Sequence, residues 1–210
     1  MQKKVFVFDN DDTLYNCPKS FEEAIVNKVI SQIAELCSWS LEETQLKRLE
    51  LFKKYNIHYT LLVFYSEGVI KDFEEFIKET YLSVNLSDYG ITSNPQLRKV
   101  LKDLKAPLYL HTNNPSAFAK KILNVLGIED LFVKIYGMFE NDCYQKPDVR
   151  AFQNLLKEIS NYQTRWYVDN EIPNLITAKQ LGFRTILVTK GPILPHFGID
   201  KQIANILDLL

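Results

Sequence analysis

From residue 95 onward the chain alternates helical and strand-like segments, and that alternation restricts its fold more than any other feature. Asn94-Pro95 has the form of a helix start, and Leu97, Val100, Leu101 and Leu104 then fall on one face. PLYLH at 107–111 is a short apolar strand. Asn114 and Pro115 open a second helix, which Gly127 ends. FVKIY at 132–136 reads as a strand. Pro147 opens a helix with Phe152, Leu155, Leu156 and Ile159 on one side. RWYV at 165–168 is a strand, 173–181 a helix stopped by Gly182, and RTILV at 184–188 a further strand. Residues 199–208 read as a closing helix. Short buried strands separated by helices mark a parallel sheet with helices on both faces.

One more strand belongs to this sheet, KVFVF at 4–8. It is separated from the next by a long helical region. Phe21, Ile25, Val29, Ile33 and Leu36 recur at helical spacing. Ser40 with Glu43 has the spacing of a capping box, opening a helix to about Tyr55. Residues 57–82 are again helical in pattern, divided at Gly68. The expected class is therefore α/β, a doubly wound parallel sheet of Rossmann-like form built from residues 1–16 and 93–210. Residues 17–92 form an inserted helical cap domain.

In open sheets of this kind, ligands bind at the carboxyl ends of the strands. Asp9, Asn10, Asp11, Asp12 and Thr13 follow the first strand. Thr112, Asn113 and Asn114 follow the second, and Asp169, Asn170 and Glu171 follow RWYV. Lys146 precedes Pro147. Up to five carboxylates would meet in one crevice, more than one lysine can neutralise. An all-oxygen donor set of this kind favours Mg²⁺. Thr112, Asn113, Lys146 and turn amides are donors suited to phosphate. Acids, a metal and phosphate donors together suggest phosphoryl transfer.

These residues, in this order, resemble the haloacid dehalogenase (HAD) superfamily of aspartyl phosphatases: DNDDT at 9–13, Thr112, Lys146-Pro147 and Asp169. The resemblance is to subfamily I, with its helical C1 cap. FDNDDTLY, LLVFY, LHTNNP, LGIEDLF, QKPDVRAF and VDNEIPNL are similar to the pyrimidine 5′-nucleotidase branch. The resemblance implies a Mg²⁺-dependent phosphomonoester hydrolase, with Asp9 as nucleophile and Asp11 as general acid and base. It implies Mg²⁺ held by Asp9, the backbone carbonyl of Asp11 and Asp169. Thr112 and Lys146 would hold the phosphoryl group, with Asn10 and Asn113 beside it, and Asn170 and Glu171 would stand behind the metal. The cap would close over the site and select a small phosphorylated metabolite, with pyrimidine nucleoside 5′-monophosphates as the substrates of the branch. The family usually has Gly or Asn where this chain has Asp12, which is expected to face solvent.

Other readings have specific arguments against them. A dehalogenase does not need an acid at the Asp11 position. A phosphomutase of the same fold stays open. A receiver-like phosphate-binding protein is shorter and carries its acid after a middle strand, whereas here the third strand runs into Tyr136-Gly137-Met138. The net charge of −1, with basic residues scattered, argues against a nucleic-acid polymer as partner. No apolar run approaches a membrane span, and the N-terminal apolar stretch is too short for a signal-peptide core. Cys17, Cys37 and Cys143 form no C-x-x-C pair, which fits a reduced, cytoplasmic setting. Monomer and homodimer are equally compatible with the composition. His111 is expected to pack away from Thr112. His58 and His196 lack partners at metal-ligand spacing, and Asn174 is expected on a helix surface or behind the ligands.

Overall fold

The computed structural model describes residues 3–192 and 199–209. The chain divides into two compact units, Met1–Cys17 with Ile91–Leu210, and Pro18–Gly90. The first unit is a parallel six-stranded sheet in the order β3-β2-β1-β4-β5-β6. Its strands are β1 (Lys4–Phe8), β2 (Leu108–His111), β3 (Phe132–Tyr136), β4 (Thr164–Asp169), β5 (Arg184–Val188) and β6 (Lys201–Ile203). The order reverses direction at β1, so the crevice expected at a topological switch point opens at the end of that strand. β1 pairs with β2 through Phe6–Leu108 and Phe8–Leu110, and with β4 through Val7–Tyr167 and Phe8–Val168. That register brings the strand ends at Asp9, Thr112 and Asp169 to one edge.

Both faces are buried along β1, β2 and β5, so these strands are continuous apolar runs rather than alternating ones. Val5, Val7, Tyr109, Tyr136, Tyr167 and Leu187 form one cluster with Phe152, Leu155, Leu175 and Ala178 of the helical segments after β3 and β4. Phe6 stacks on Phe8 and on Trp166 at 6.1 Å, on the opposite face. In the second unit, helix α1 (Lys19–Cys37) buries Phe21, Ile25, Val29 and Ile33. Leu36, expected on the same stripe, is exposed, because the helix ends one residue later at Cys37. Helix α2 (Leu41–Tyr55) starts at the Ser40–Glu43 capping box, with both reciprocal bonds formed. The 57–82 segment is divided as expected. Helices α3 (Thr60–Ser66) and α4 (Phe73–Glu79) flank Gly68, which has φ +72°.

Helices α5 (Pro95–Asp103) and α6 (Ser116–Leu126) start and stop close to the positions read from Asn94-Pro95, Pro115 and Gly127. Two expectations are corrected. Pro147 does not open a helix. Asp148 Oδ1 accepts from the Arg150 amide, a short 3-10 turn covers Val149–Phe152, and only then does α7 (Gln153–Glu158) begin. Residues 199–208 are not a helix either. They supply β6, which pairs in parallel with β5, followed by a 3-10 turn at Ile206–Asp208. An open strand edge outweighs weak helical periodicity there, and Asp200 is tied to β5 by the Thr185 amide at 2.7 Å. Helix α8 (Ile172–Gln180) links β4 to β5.

Gly137, after β3, has a packing role that no other residue can fill. A Cβ there would lie 2.5 Å from the Ser116 nitrogen and 2.7 Å from the Asn114 oxygen. Close approach of these two backbones lets the Met138 amide donate to the Asn114 carbonyl at 3.0 Å. Gly137→Ala is expected to lower stability by about 1–3 kcal/mol through overpacking. Urea unfolding of the purified variant measures this, and an unchanged midpoint would contradict it.

Candidate active site

The carboxyl edge of the sheet carries a buried ionic cluster. The Lys146 ammonium donates to Asp9 Oδ1 at 2.7 Å, to the His111 carbonyl at 2.8 Å and to Asp169 Oδ2 at 3.0 Å. The Lys146 and Asp169 side chains are 2% and 0% exposed, and Asp9 is 12% exposed. Two buried like charges without a cation would be costly, and the lysine sits between them. Burial pulls the Lys146 pKa down, but Asp169 and Asp9 outweigh it and hold the ammonium well above its ordinary value. Burial and Asp9 push the Asp169 carboxyl up, against the pull of Lys146.

All three protons of Lys146 are used by these bonds. Contact with a phosphoryl oxygen therefore requires one of them to be exchanged. The lysine itself is placed by Asn113, whose amide accepts from the Lys146 N–H at 2.8 Å and donates to the Lys146 carbonyl at 3.2 Å. The Asn113 side chain thus bonds to the Lys146 peptide from both of its ends, which leaves one of its two N–H groups for a ligand. Asp169 is held from the other side by the Glu171 amide at 2.8 Å and by Asn174 Nδ2 on both oxygens at 3.1 and 3.2 Å. The Glu171 side chain is exposed, and its backbone amide is the group bonded to Asp169. Asn170 accepts from the Thr13 hydroxyl at 3.3 Å, and that hydroxyl also reaches Asp9 Oδ2 at 3.2 Å.

Thr112 is buried at the end of β2. Its hydroxyl oxygen accepts from the Asn114 amide at 3.1 Å, a bond that does not use the hydroxyl proton. Asn141 fixes its carbonyl at 3.2 Å. Asn10 has a wholly buried side chain, and neither its oxygen nor its nitrogen has a hydrogen-bond partner among the described residues. Its carbonyl anchors the turn by accepting from Thr13 and Leu14. His111 packs away from the crevice, as expected. Its ring bonds to the Ala151 carbonyl at 3.1 Å and the Tyr167 hydroxyl at 2.8 Å. Burial and Lys146 keep it neutral.

Asp11 is separate from the lysine cluster. Its Oδ1 accepts from the Tyr15 hydroxyl and its Oδ2 from Asn114 Nδ2 at 2.9 Å. Burial and the Asp9 charge push its carboxyl up to about 6, against these two donors. Asp12 is exposed, as expected. It has φ +54° and its carboxylate accepts from the Cys17 amide at 2.9 Å. That left-handed conformation costs least for Gly, Asn and Asp. The five-carboxylate crevice is thus corrected to two carboxylates on one lysine, with a third nearby on neutral donors. His196 lies outside the described residues.

Tyr15 was not legible as a site residue, whereas Asn174 stands behind Asp169, one of its two expected places. Tyr15 lies four positions after Asp11 in a turn, where no periodicity points to it. Asn174 carried one signal, a polar residue beside the inward Leu175 and Ala178 in the first turns of α8.

Among the described residues, no three His, Cys, Asp or Glu side chains gather around one point. The set still fits Mg²⁺, which is commonly held by one or two carboxylates and keeps several waters. Asp9, Asp169 and Lys146 carry a net charge of −1, all the acid donors are oxygens, and the Asp11 carbonyl would complete the protein's share.

The fold is that of a doubly wound hydrolase core, and residues 3–182 match the model of the haloacid dehalogenase-like hydrolases. The chain belongs to that family. It is 27% identical over 207 residues to phosphate metabolism protein 8 of Saccharomyces cerevisiae, covering 88% of this chain and 61% of that protein. It is 33% identical over 109 residues to a phosphoglycolate phosphatase of Cereibacter sphaeroides, covering 48% of each. The matched segments thus span less than two thirds of either relative. The HAD-hydrolase YfnB of Bacillus subtilis, solved with magnesium bound, superposes with a TM-score of 0.61 at 16% identity, covering 100% of this chain and 97% of that one.

Two outcomes are expected. Lys146→Met leaves Asp9 and Asp169 buried without a cation and costs about 3–5 kcal/mol at neutral pH. Urea unfolding at pH 7 tests it, and wild-type stability would contradict it. Asp11→Asn is expected to stabilise the metal-free protein at pH 7 by on the order of 1–2 kcal/mol. The sign follows from a folded pKa raised to about 6 from 3.8. Ionisation is then costlier in the folded state, so the gain fades as pH falls from about 6 and is gone below 3.8. Thermal melts across that range read it out, and a gain independent of pH would contradict it.

Proposed function

We propose that this protein is a Mg²⁺-dependent phosphomonoesterase that works through an aspartyl-phosphate on a small phosphorylated metabolite. Pyrimidine nucleoside 5′-monophosphates are the first candidates. The observation that carries the reading is the contrast between two aspartates two residues apart. Asp9 accepts from the Lys146 ammonium at 2.7 Å and from the Thr13 hydroxyl at 3.2 Å, a cationic setting that suits a carboxylate nucleophile. Asp11 is held by neutral donors with its carboxyl pushed up to about 6, where it can both give and take a proton near neutral pH.

The chemistry follows from that division. An Asp9 oxygen attacks phosphorus while the bond to the leaving oxygen breaks, and Asp11 gives its proton to that oxygen. Water then attacks the phosphorus of the aspartyl-phosphate, Asp11 takes a proton from the water, and Asp9 is released with inorganic phosphate. The Thr112 hydroxyl proton, which its bond from the Asn114 amide does not use, would orient a phosphoryl oxygen. Lys146 keeps Asp9 from being repelled by Asp169. Mg²⁺, held by Asp9, Asp169 and the Asp11 carbonyl, would supply charge neutralisation for the phosphoryl group. An acid at the Asp11 position supports phosphate ester cleavage rather than dehalogenation, whose leaving halide needs no proton. The names of the two relatives support the same reading, and the differing substrates they suggest leave the choice to assay.

The test is phosphate release from p-nitrophenyl phosphate, UMP, CMP, AMP, glycerol phosphate and phosphoglycolate, with Mg²⁺ and with EDTA. Release that needs the metal and falls by at least about 10³-fold in Asp9→Asn is expected. Preference for UMP and CMP would support the nucleotidase reading, and preference for phosphoglycolate would replace it. Folded protein that cleaves none of these esters would sink the hydrolase reading.

A further inference from the structure

Resting on the phosphatase reading, we propose that Tyr15 and Asn114 are the positioning residues of the acid–base carboxyl, and so determine which leaving groups the enzyme can expel. A free aspartate side chain rotates about two bonds. Here each Asp11 oxygen has its own donor, Tyr15 on Oδ1 and Asn114 on Oδ2. One bond to each oxygen defines both the rotamer and the plane of the carboxyl group. An ionised carboxylate has about four lone-pair sites, so each oxygen keeps one for a reacting group.

The two donors come from different parts of the core. Tyr15 belongs to the turn after β1, where it forms an isolated bridge with Asp11. Asn114 lies between β2 and α6 and is itself held at both backbone ends. Its amide donates to Thr112 Oγ at 3.1 Å and its carbonyl accepts from Met138 at 3.0 Å. The residue that aims Asp11 is thereby hydrogen-bonded to Thr112, which would orient the phosphoryl group. Asp9 is held by a different pair of donors, Lys146 and Thr13. The strength of the nucleophile and the aim of the acid are supported by separate side chains.

That separation gives a signature that a general structural role would not. In the first step Asp11 transfers a proton to the departing oxygen as its bond to phosphorus breaks. An alkoxide needs that proton, and p-nitrophenolate departs readily without it. The parameter kcat/KM reports only events up to this first departure, so later water attack does not enter. The experiment compares Tyr15→Phe and Asn114→Ala with wild type and Asp11→Asn. The substrates are p-nitrophenyl phosphate and the alkyl phosphate that wild type cleaves fastest, and thermal midpoints are measured alongside.

Each variant is expected to lose about 10- to 100-fold in kcat/KM on the alkyl ester while staying within about threefold on the aryl ester. Asp11→Asn is expected to show the same selectivity, more strongly. Equal losses on both esters, or no loss on either, would overturn the assignment while leaving the phosphatase reading intact. A wild type that cleaves neither ester would overturn both.

Discussion

A single lysine between two aspartates organises the carboxyl edge of this sheet. Lys146, Asp9 and Asp169 come from three separate segments and are buried together. In that setting each charge is tolerated only while the others are present. The surrounding structure answers this demand. Asn113 grips the peptide of Lys146, Asn174 and the Glu171 amide hold Asp169, and Thr13 holds Asp9. Few of these supporting groups have the freedom to contact a ligand. Their work is to keep an unfavourable cluster in one geometry.

Asp11 obeys a different logic two residues away. It has no cation of its own and is held by a phenol and an amide. Its raised carboxyl is a standing cost in the folded state, of the kind expected where reactivity takes precedence over stability. The two aspartates of one short turn are thus held by different kinds of neighbour, a cation for Asp9 and neutral donors for Asp11. The turn itself depends on local chemistry: the Asn10 carbonyl closes it, and Asp12 adopts a left-handed conformation while bonding to the Cys17 amide.

The parts of this arrangement that could be read in advance share a common property. β1, β2, β4 and β5 are apolar runs ended by polar clusters, so both the strands and the ligand-facing ends are marked along the chain. The Ser40–Glu43 cap, Asn94-Pro95 and Gly127 are likewise local signals with local causes. The misread segments are those where a distant partner decides. Residues 201–203 become a strand because the edge of β5 is open beside them. Leu36 lies on the apolar period of α1 but too near its end to be covered.

The sequence by itself determined the class of sheet, the inserted helical segment and the identity of the acids, lysine and threonine at the strand ends. Periodicity and turn chemistry act over a few residues, and those few residues are visible. Only the tertiary structure decided which acids share a cation and which do not. It also assigned Tyr15, Asn114 and Asn174 to their carboxylates. Hydrogen-bond partners such as Asp11 and Asn114, or Lys146 and Asp9, are far apart in the chain. Their pairing exists only once the parallel register of β1, β2 and β4 has set the strand ends side by side.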